Sequence, residues 1–201
     1  MNNYVVKQPI KDRNDQVIGN EVMFQLGNDD LYNSSEDYMA AGTIANFFMQ
    51  NNEKIYDGKL VFAKFTPSLL FRNAPKIFDS SKLVIQIEDD VLVNPLSLVI
   101  VQKYRKEGYR FAINDFQFSA RFFSMLEYVD FLKLNIRNRE GRTGEGSMEN
   151  IVRMAKGFNK KCIAYGVDTR EDYDFAKSLG VDYLQGTYIS EATMVKTAKI
   201  D

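Results

Sequence analysis

Polar side chains mark the carboxyl ends of most strands that this sequence predicts. The pair Asn114-Asp115 directly follows the apolar run at residues 111–113. Adjacent carboxylate and amide groups at a strand end are oxygen ligands of the kind that hard cations prefer. One polar residue at one strand end carries little information, because the active edge of any such sheet is polar. The candidate pocket is therefore the whole set: Glu21, Lys64, Gln86, Asn114, Asp115, Lys133, Tyr165 and Gln185.

Histidine is absent from all 201 residues. Histidine is the usual general base near neutral pH and the commonest metal-binding side chain. Nucleophiles of the Ser-His and Cys-His types are therefore excluded. Any catalysis would have to come from carboxylates, lysine, tyrosine or a metal held by oxygen ligands.

Short β-rich runs alternate with amphipathic segments along nearly the whole chain. Residues 4–8 and 17–25 flank the turn-rich segment 11–15 and predict a β-hairpin. Six further strands are predicted at residues 60–65, 83–87, 110–114, 129–135, 161–166 and 181–185. Helices are predicted from Ser34, from Asn94-Pro95, over residues 148–156, and from Thr169 to Gly180, on the basis of capping residues and apolar spacing.

Eight strands, the first two joined as a hairpin and the rest separated mostly by helices, favour a (β/α)8-like barrel. The run at residues 83–87 is apolar enough for a buried parallel strand. An open, doubly wound sheet has the same signature, and the pattern alone leaves both open. The length fits one domain, which we expect to span residues 1–201.

Composition predicts a soluble cytoplasmic protein. Lys and Arg number 26 against 27 Asp and Glu, a net charge of -1, which gives no reason to expect nucleic acid or a membrane surface as partner. The single Cys162 fits a reducing compartment. The first residues lack the design of a signal peptide, and no apolar run approaches a membrane span.

Several short motifs follow one another in order between about Tyr4 and Ser190. They are Glu21-Val22-Met23, then VIQIED at residues 84–89, AINDF at 112–116, FLKLN at 131–135, AYGVDT at 164–169 and YLQG at 183–186. This series resembles the EAL domain, the fold of bacterial cyclic-di-GMP phosphodiesterases, with its E-A-L, V-L-E-I-T-E, A-L-D-D-F, L-K-I-D, A-E-G-V-E-T and Y-x-Q-G. The compact start VKQPIKDR is most similar to EAL domains found beside HDOD domains.

The resemblance implies a TIM-like barrel whose first strand runs antiparallel, in agreement with the predicted hairpin. It also implies a two-metal phosphodiesterase site, in which this sequence keeps Glu21, Asp115 and Lys133. Other positions differ from the family: Lys64 stands for an Asn, Gln86 for a metal-binding Glu, Asn114 for an Asp, Tyr165 for the catalytic Glu and Gln25 for a phosphate-contacting Arg.

The charge of this altered site argues against metal. A lysine inside a cation site opposes the cation by roughly 4 kcal/mol per unit charge at ~4 Å, for an effective dielectric of ~20. Since a two-metal mechanism needs both ions, we expect neither a metal nor another cofactor here. We expect Lys64 to replace the metal by pairing with Glu21 and Asp115, and Lys133 to be an ion-paired lysine.

The segment FQFSARFFSM at residues 116–125 replaces the family's F-G-T-G-Y loop, which in active relatives lies beside the site and takes part in dimerisation. Exposed apolar patches mark partner surfaces. Packing on the barrel is the alternative for some of these side chains. The candidate interface consists of Phe118, Phe122, Phe123 and Met125.

Together these features predict a catalytically inactive EAL-like domain that acts in bacterial signalling through protein–protein contacts. The partner is a second copy of the chain or an unidentified protein. One alternative is a cyclic-di-GMP receptor that binds without hydrolysis, against which stand Gln25, the lost ligands and Lys64. The other alternative is an active cyclic-di-GMP phosphodiesterase.

Overall fold

Strands β1 (Asn3–Asp12) and β2 (Val17–Leu26) form an antiparallel hairpin in the computed structural model, which describes residues 3–26, 29–30, 53–140 and 146–196. The Asp12 carboxylate closes the turn by accepting the backbone N–H groups of Asn14 and Gln16 at 2.8 and 2.9 Å. The register places Gln8 directly opposite Glu21. The predicted hairpin is confirmed, and β1 is longer than predicted.

Eight strands close into a barrel. After the hairpin come the parallel strands β4 (Leu60–Lys64), β5 (Leu83–Ile87), β6 (Arg110–Ile113), β7 (Phe131–Asn135), β8 (Lys161–Tyr165) and β9 (Tyr183–Leu184). β2 pairs in parallel with β4, and parallel pairing then runs in chain order through to β9. β9 closes the ring by antiparallel pairing with the end of β1. The closed barrel with an antiparallel first strand is therefore confirmed over the open sheet.

Two further strands lie outside the ring and were not predicted. β3 (Asp29–Asp30) pairs with the end of β2, and β10 (Thr193–Lys196) pairs antiparallel with Tyr4–Lys7 of β1. β10 continues the sheet beyond the point where the sequence pattern places the last strand.

Helices cover the outer wall of the parallel strands. They are α1 (Pro67–Phe71), α2 (Asp89–Leu92), α3 (Ser97–Lys106), α4 (Ala120–Phe123), α5 (Met148–Gly157) and α6 (Arg170–Leu179), with 3-10 turns at Ala74–Ile77 and Ile136–Asn138. No helix in the described part of the chain is long and apolar enough to cross a membrane.

The helix ends show how well capping residues predict structure. The capping box of Thr169 and Asp172 is present at the start of α6, and Gly180 ends that helix in the left-handed conformation. α3 begins later than predicted, because Asn94 accepts the Leu96 N–H at 2.9 Å in a separate turn and the helix starts only at Ser97. The helix predicted from Ser34 lies outside the described residues.

An apolar plug fills the amino-terminal half of the barrel interior. It consists of Ile10, Phe62, Val84, Ala112, Phe131 and Ile163. A Cβ on Gly19 would lie 2.9 Å from the Leu60 Cβ and from the Phe62 ring, so only glycine fits against this plug. Since side chains alternate between the two faces of a strand, Gln86, Lys133 and Tyr165 point into the same interior two residues further on. The plug therefore supports a polar layer at the carboxyl ends of the strands.

Candidate functional site

Glu21 lies at the centre of this polar layer, and its carboxylate is fully engaged by the protein. Its Oε1 accepts from Lys133 Nζ at 2.8 Å and from Gln86 Nε2 at 2.7 Å. Its Oε2 accepts from Gln185 Nε2. Lys133 Nζ also donates to Gln86 Oε1 at 2.7 Å. Donors from β5, from β7 and from the residue after β9 thus fix one carboxylate in a closed network, which we call the Glu21 network.

The electrostatics of the Glu21 network favour the ion pair. Burial acts to raise the pKa of Glu21, but the Lys133 charge and the hydrogen bonds from Lys133, Gln86 and Gln185 outweigh it and lower the pKa below its ordinary value. The Lys133 side chain is 1% exposed, and its ammonium lies 5.1 Å from the centre of the Tyr165 ring. The prediction that Lys133 is an ion-paired lysine is confirmed.

Lys64 forms a second pair beside the first. Its Nζ lies 2.8 Å from Glu88 Oε2, and Asn114 Nδ2 donates to the other Glu88 oxygen at 3.1 Å. The prediction that Lys64 pairs with Glu21 and Asp115 is wrong. β4 pairs with β5 so that Lys64 lies beside Gln86, and the next inward-facing position on that side is Glu88. Lys133, Gln86 and Gln185 already donate hydrogen bonds to the Glu21 carboxylate.

Asp115 lies at the mouth of the barrel, which is the end formed by the carboxyl ends of the parallel strands. Its backbone φ is 46°. Its Oδ2 accepts from Asn138 Nδ2 at 3.2 Å. The loop is held from below, since Phe116 N–H donates to the Lys133 carbonyl at 3.0 Å. Asp115 therefore has a partner outside the Glu21 network, with which it was predicted to share one cluster.

The structure adds three residues that the sequence pattern did not single out. Gln8 accepts from Gln185 Nε2 at 3.3 Å, and its position opposite Glu21 in the hairpin could have revealed it. Glu88 follows Gln86 with a strand period of two, which was a usable signal. Asn138 comes from a 3-10 turn after β7, and no spacing rule points to it. The side chain of Gln25 lies outside the described residues.

The donor set does not fit a pair of divalent cations. In residues 3–26, 29–30, 53–140 and 146–196, no three Asp, Glu, His or Cys side chains come together in a metal-ligand arrangement. The site also contains two ammonium groups, those of Lys64 and Lys133, whose positive charge would repel a bound cation. The Asn114 and Gln185 side-chain oxygens are buried and have no hydrogen-bond partner within the described chain. Both are neutral, and a water molecule can satisfy such oxygens.

The candidate interface divides into exposed and buried residues. Phe118 and Phe123 are 39% and 38% exposed, and their rings pack edge to face with centres 4.8 Å apart. Phe122 and Met125 are buried, and Phe122 packs on Phe116. The prediction that Phe122 and Met125 contribute to an interface is therefore corrected, because both complete the core under α4. The predicted surface reduces to Phe118 and Phe123, which we call the Phe118–Phe123 pair.

The closed barrel, its antiparallel first strand and the polar layer at the strand ends define a class of α/β barrel with its site at the mouth. A sequence profile of the EAL domain matches residues 56–192, more than half of the chain. The chain belongs to the EAL domain family.

Known relatives agree with this assignment. The chain is 28% identical over 199 residues to the uncharacterised protein YuxH of Bacillus subtilis (strain 168), which covers 96% of this chain and 48% of YuxH. It is 24% identical over 201 residues to the cyclic di-GMP phosphodiesterase CdgJ of Vibrio cholerae serotype O1, covering 96% of this chain and 45% of CdgJ. The chain thus spans about half the length of these curated relatives.

Solved structures share the fold. The Bacillus subtilis YkuI protein, which has an EAL domain and was crystallised in complex with its substrate cyclic-di-GMP and calcium, superposes with a TM-score of 0.73 at 16% identity. The superposition covers 98% of this chain and 56% of the YkuI chain. At this identity the likeness establishes the barrel architecture alone.

Proposed function

We propose that this EAL domain does not hydrolyse cyclic-di-GMP and acts as a regulatory, protein-binding module in bacterial cyclic-di-GMP signalling. The family and the relatives named as cyclic-di-GMP phosphodiesterases support the signalling context. The altered mouth of the barrel supports the loss of catalysis.

The proposal rests on the observation that the Glu21 carboxylate is already bound by protein donors. Both of its oxygens accept hydrogen bonds from protein donors, namely Lys133, Gln86 and Gln185. A cation would have to displace these donors, and the Lys133 ammonium, almost fully buried, would lose its counter-ion. Leaving a buried charge uncompensated typically costs about 3–5 kcal/mol. Metal entry is therefore opposed by the network itself.

Charge in the rest of the mouth adds to this opposition. Lys64 is held at the mouth by Glu88, and an ammonium ~4 Å from a cation costs roughly 4 kcal/mol per unit charge at an effective dielectric of ~20. A two-metal hydrolysis needs one ion to activate water and another to stabilise the leaving oxygen. The position of the family's catalytic Glu holds Tyr165, which offers no carboxylate.

Calorimetric titration with cyclic-di-GMP, with and without Mg²⁺, tests the catalytic half of the proposal. Chromatography of the incubated mixture detects the linear dinucleotide. We expect no heat of binding at micromolar protein and no product. Binding without product would replace the proposal by that of a cyclic-di-GMP receptor, and formation of linear product would refute it.

The protein-binding half of the proposal rests on the Phe118–Phe123 pair. Two adjacent, partly exposed aromatic rings beside the mouth have the composition of an interface core. The variant Phe118→Ser/Phe123→Ser should shift the sedimentation profile toward monomer if a second copy covers the pair. Phe158→Ser is the matched control, because Phe158 is 61% exposed at the end of α5. If both variants sediment like the unmodified chain and lose no partner, the pair is not an interface. Kinship with the HDOD-associated subgroup stays a prediction.

A further inference from the structure

A groove of about 350 Å³ lies against the outer wall of the barrel. One side is the β1–β2 turn, with Lys11 and Arg13, and the other is α6, with Tyr173 and Lys177. The groove follows the seam where β1 meets β9, since Lys11 pairs with Leu184. It therefore lies where the strands change from parallel to antiparallel pairing.

The architecture explains why this seam is open. The parallel strands β4 to β8 are each followed by helical structure, whereas no helix follows β9 up to residue 196, the end of the described chain. β10 instead pairs with Tyr4–Lys7, at the other end of β1. The wall over Lys11 and Leu184 therefore lacks a helix of the kind that follows each strand from β4 to β8 in the described chain.

The groove has an apolar floor and an aromatic side. Leu184 is buried beneath it, and Ile189 is partly buried beside it. The rings of Tyr173 and Tyr188 lie 5.6 Å apart, and Tyr188 is 44% exposed. An apolar side chain of a partner would find contact area here, and the tyrosine hydroxyls offer hydrogen bonds at the rim.

The charge of the groove is positive. Four cationic side chains and two carboxylates line it: Lys11, Arg13, Arg170 and Lys177, with Asp12 and Asp15. Both carboxylates are engaged, because Asp15 pairs with Lys11 and Asp12 accepts hydrogen bonds from backbone N–H groups of the turn.

Two of the four cations remain available. Arg170 is paired with Asp174. Arg13 donates its Nε to the Val181 carbonyl, and Lys177 lies 5.1 Å from the centre of the Tyr173 ring. Neither Arg13 nor Lys177 has a carboxylate partner among the residues that the structure describes. Both charges are thus free to meet carboxylates of a bound segment.

We propose that this groove binds an acidic peptide segment of a partner protein, with an apolar side chain on the Leu184 floor and carboxylates facing Arg13 and Lys177. Nucleic acid is the other polyanion that Arg, Lys and Tyr side chains suit. The net charge of -1 for the chain disfavours it. The inference goes beyond the proposed function and does not depend on it, because no residue that lines the groove belongs to the Glu21 network or to the Phe118–Phe123 pair.

Nuclear magnetic resonance titration of the ¹⁵N-labelled chain tests this assignment. The probes are a short peptide that alternates Glu with Leu and Phe, the same peptide with every Glu replaced by Lys, and a single-stranded oligonucleotide. We expect saturable shifts from the acidic peptide alone, centred on the β1–β2 turn, the outer face of α6 and residues 184–189. Added salt should weaken them.

Variants separate the groove from general surface charge. Arg13→Glu/Lys177→Glu should weaken binding of the acidic peptide by about tenfold or more. Lys59→Glu/Lys106→Glu, the same charge change at exposed sites elsewhere, should leave the affinity within about twofold. Lys177→Glu alone covers the case in which loss of the Arg13–Val181 contact unfolds the turn. Absence of saturable shifts, equal binding of the lysine peptide or the oligonucleotide, or unchanged affinity of the folded groove variants would overturn the proposal.

Discussion

Lys133 Nζ lies 2.8 Å from Glu21 Oε1 at the centre of the barrel mouth, with the lysine side chain 1% exposed. Glu21 comes from the antiparallel hairpin and Lys133 from β7, on the opposite side of the ring. The pair therefore ties the first part of the barrel to a strand that lies 112 residues later in the chain. It also favours the ionised form of Glu21, whose pKa is lowered by the Lys133 charge, with consequences for stability.

Removing either Glu21 or Lys133 should destabilise the fold. Glu21→Gln leaves the buried Lys133 ammonium without its counter-ion, and Lys133→Met leaves the carboxylate without its own. Each should lower the free energy of unfolding by about 3–5 kcal/mol. The double variant should cost less than the sum by about 2 kcal/mol, since no uncompensated charge remains. Urea unfolding of the four proteins measures this coupling.

Lys161→Met is the matched control for that cycle. Lys161 pairs with Asp182 at 2.9 Å, but its side chain is 52% exposed. Exposed pairs contribute about 1 kcal/mol or less. An equal loss of stability in Lys161→Met and Lys133→Met would show that burial of the Glu21 network adds nothing.

Acid should destabilise the fold partly through Glu21. Its pKa is lowered in the folded state, so its contribution is fully present above the ordinary value of 4.5 and is lost as pH falls from there through the folded value. The pKa values of Asp168 and Asp172 are also lowered, so the comparison with Glu21→Gln isolates the glutamate. Thermal melts should show a steeper loss below pH 4.5 in the unmodified chain than in Glu21→Gln. Parallel curves would contradict the lowered pKa.

Restoring carboxylates should create a cation site. Lys64→Asn/Gln86→Glu/Asn114→Asp removes one ammonium and adds two carboxylates around Glu21, Glu88 and Asp115. We expect Mn²⁺ to bind this variant at least about tenfold more tightly than the unmodified chain, by calorimetry. The control Lys106→Asn/Asn94→Asp/Gln102→Glu makes the same charge change on α3 and the turn before it. Equal Mn²⁺ affinity in both variants would mean that net charge, and not the mouth, governs binding.

Gly186 should be intolerant of any side chain. Its φ is +156°, and a Cβ there would lie 2.0 Å from the Val167 carbonyl oxygen. Backbone cannot yield as a flexible side chain does, so Gly186→Ala should cost about 3 kcal/mol or more. Gly157→Ala is the control, because a Cβ at Gly157 has no neighbour within 4 Å. Similar melting temperatures for the two variants would refute this packing.

Most of the barrel could be predicted because its signals are local. The turn chemistry of residues 11–15 and the apolar run of Leu83–Ile87 each determine their own segment, and both are confirmed. β10 escaped prediction because Thr193–Lys196 has no distinctive pattern and is a strand only through pairing with Tyr4–Lys7. α3 began late because the Asn94 side chain caps a turn as readily as a helix.

The sequence predicts which residues line the site but not which of them pair with one another. Alternation along the strands places Gln86, Lys133 and Tyr165 inside the barrel, as expected. Which cation meets Glu21 depends on distances across the ring, which no spacing rule contains. The prediction therefore paired Lys64 with Glu21 and Asp115, whereas in the structure Lys64 pairs with Glu88 and Lys133 pairs with Glu21. The buried positions of Phe122 and Met125 likewise depend on how α4 packs on the barrel.

The structure of crystals grown with Mn²⁺ and cyclic-di-GMP most directly tests the claim that the mouth of the barrel binds no metal, because anomalous scattering locates the metal. We predict that Lys133 Nζ remains on Glu21 and that no Mn²⁺ peak lies between Glu21 and Asp115. A cation coordinated by Glu21 and Asp115, with Lys133 displaced, would contradict the self-neutralised mouth.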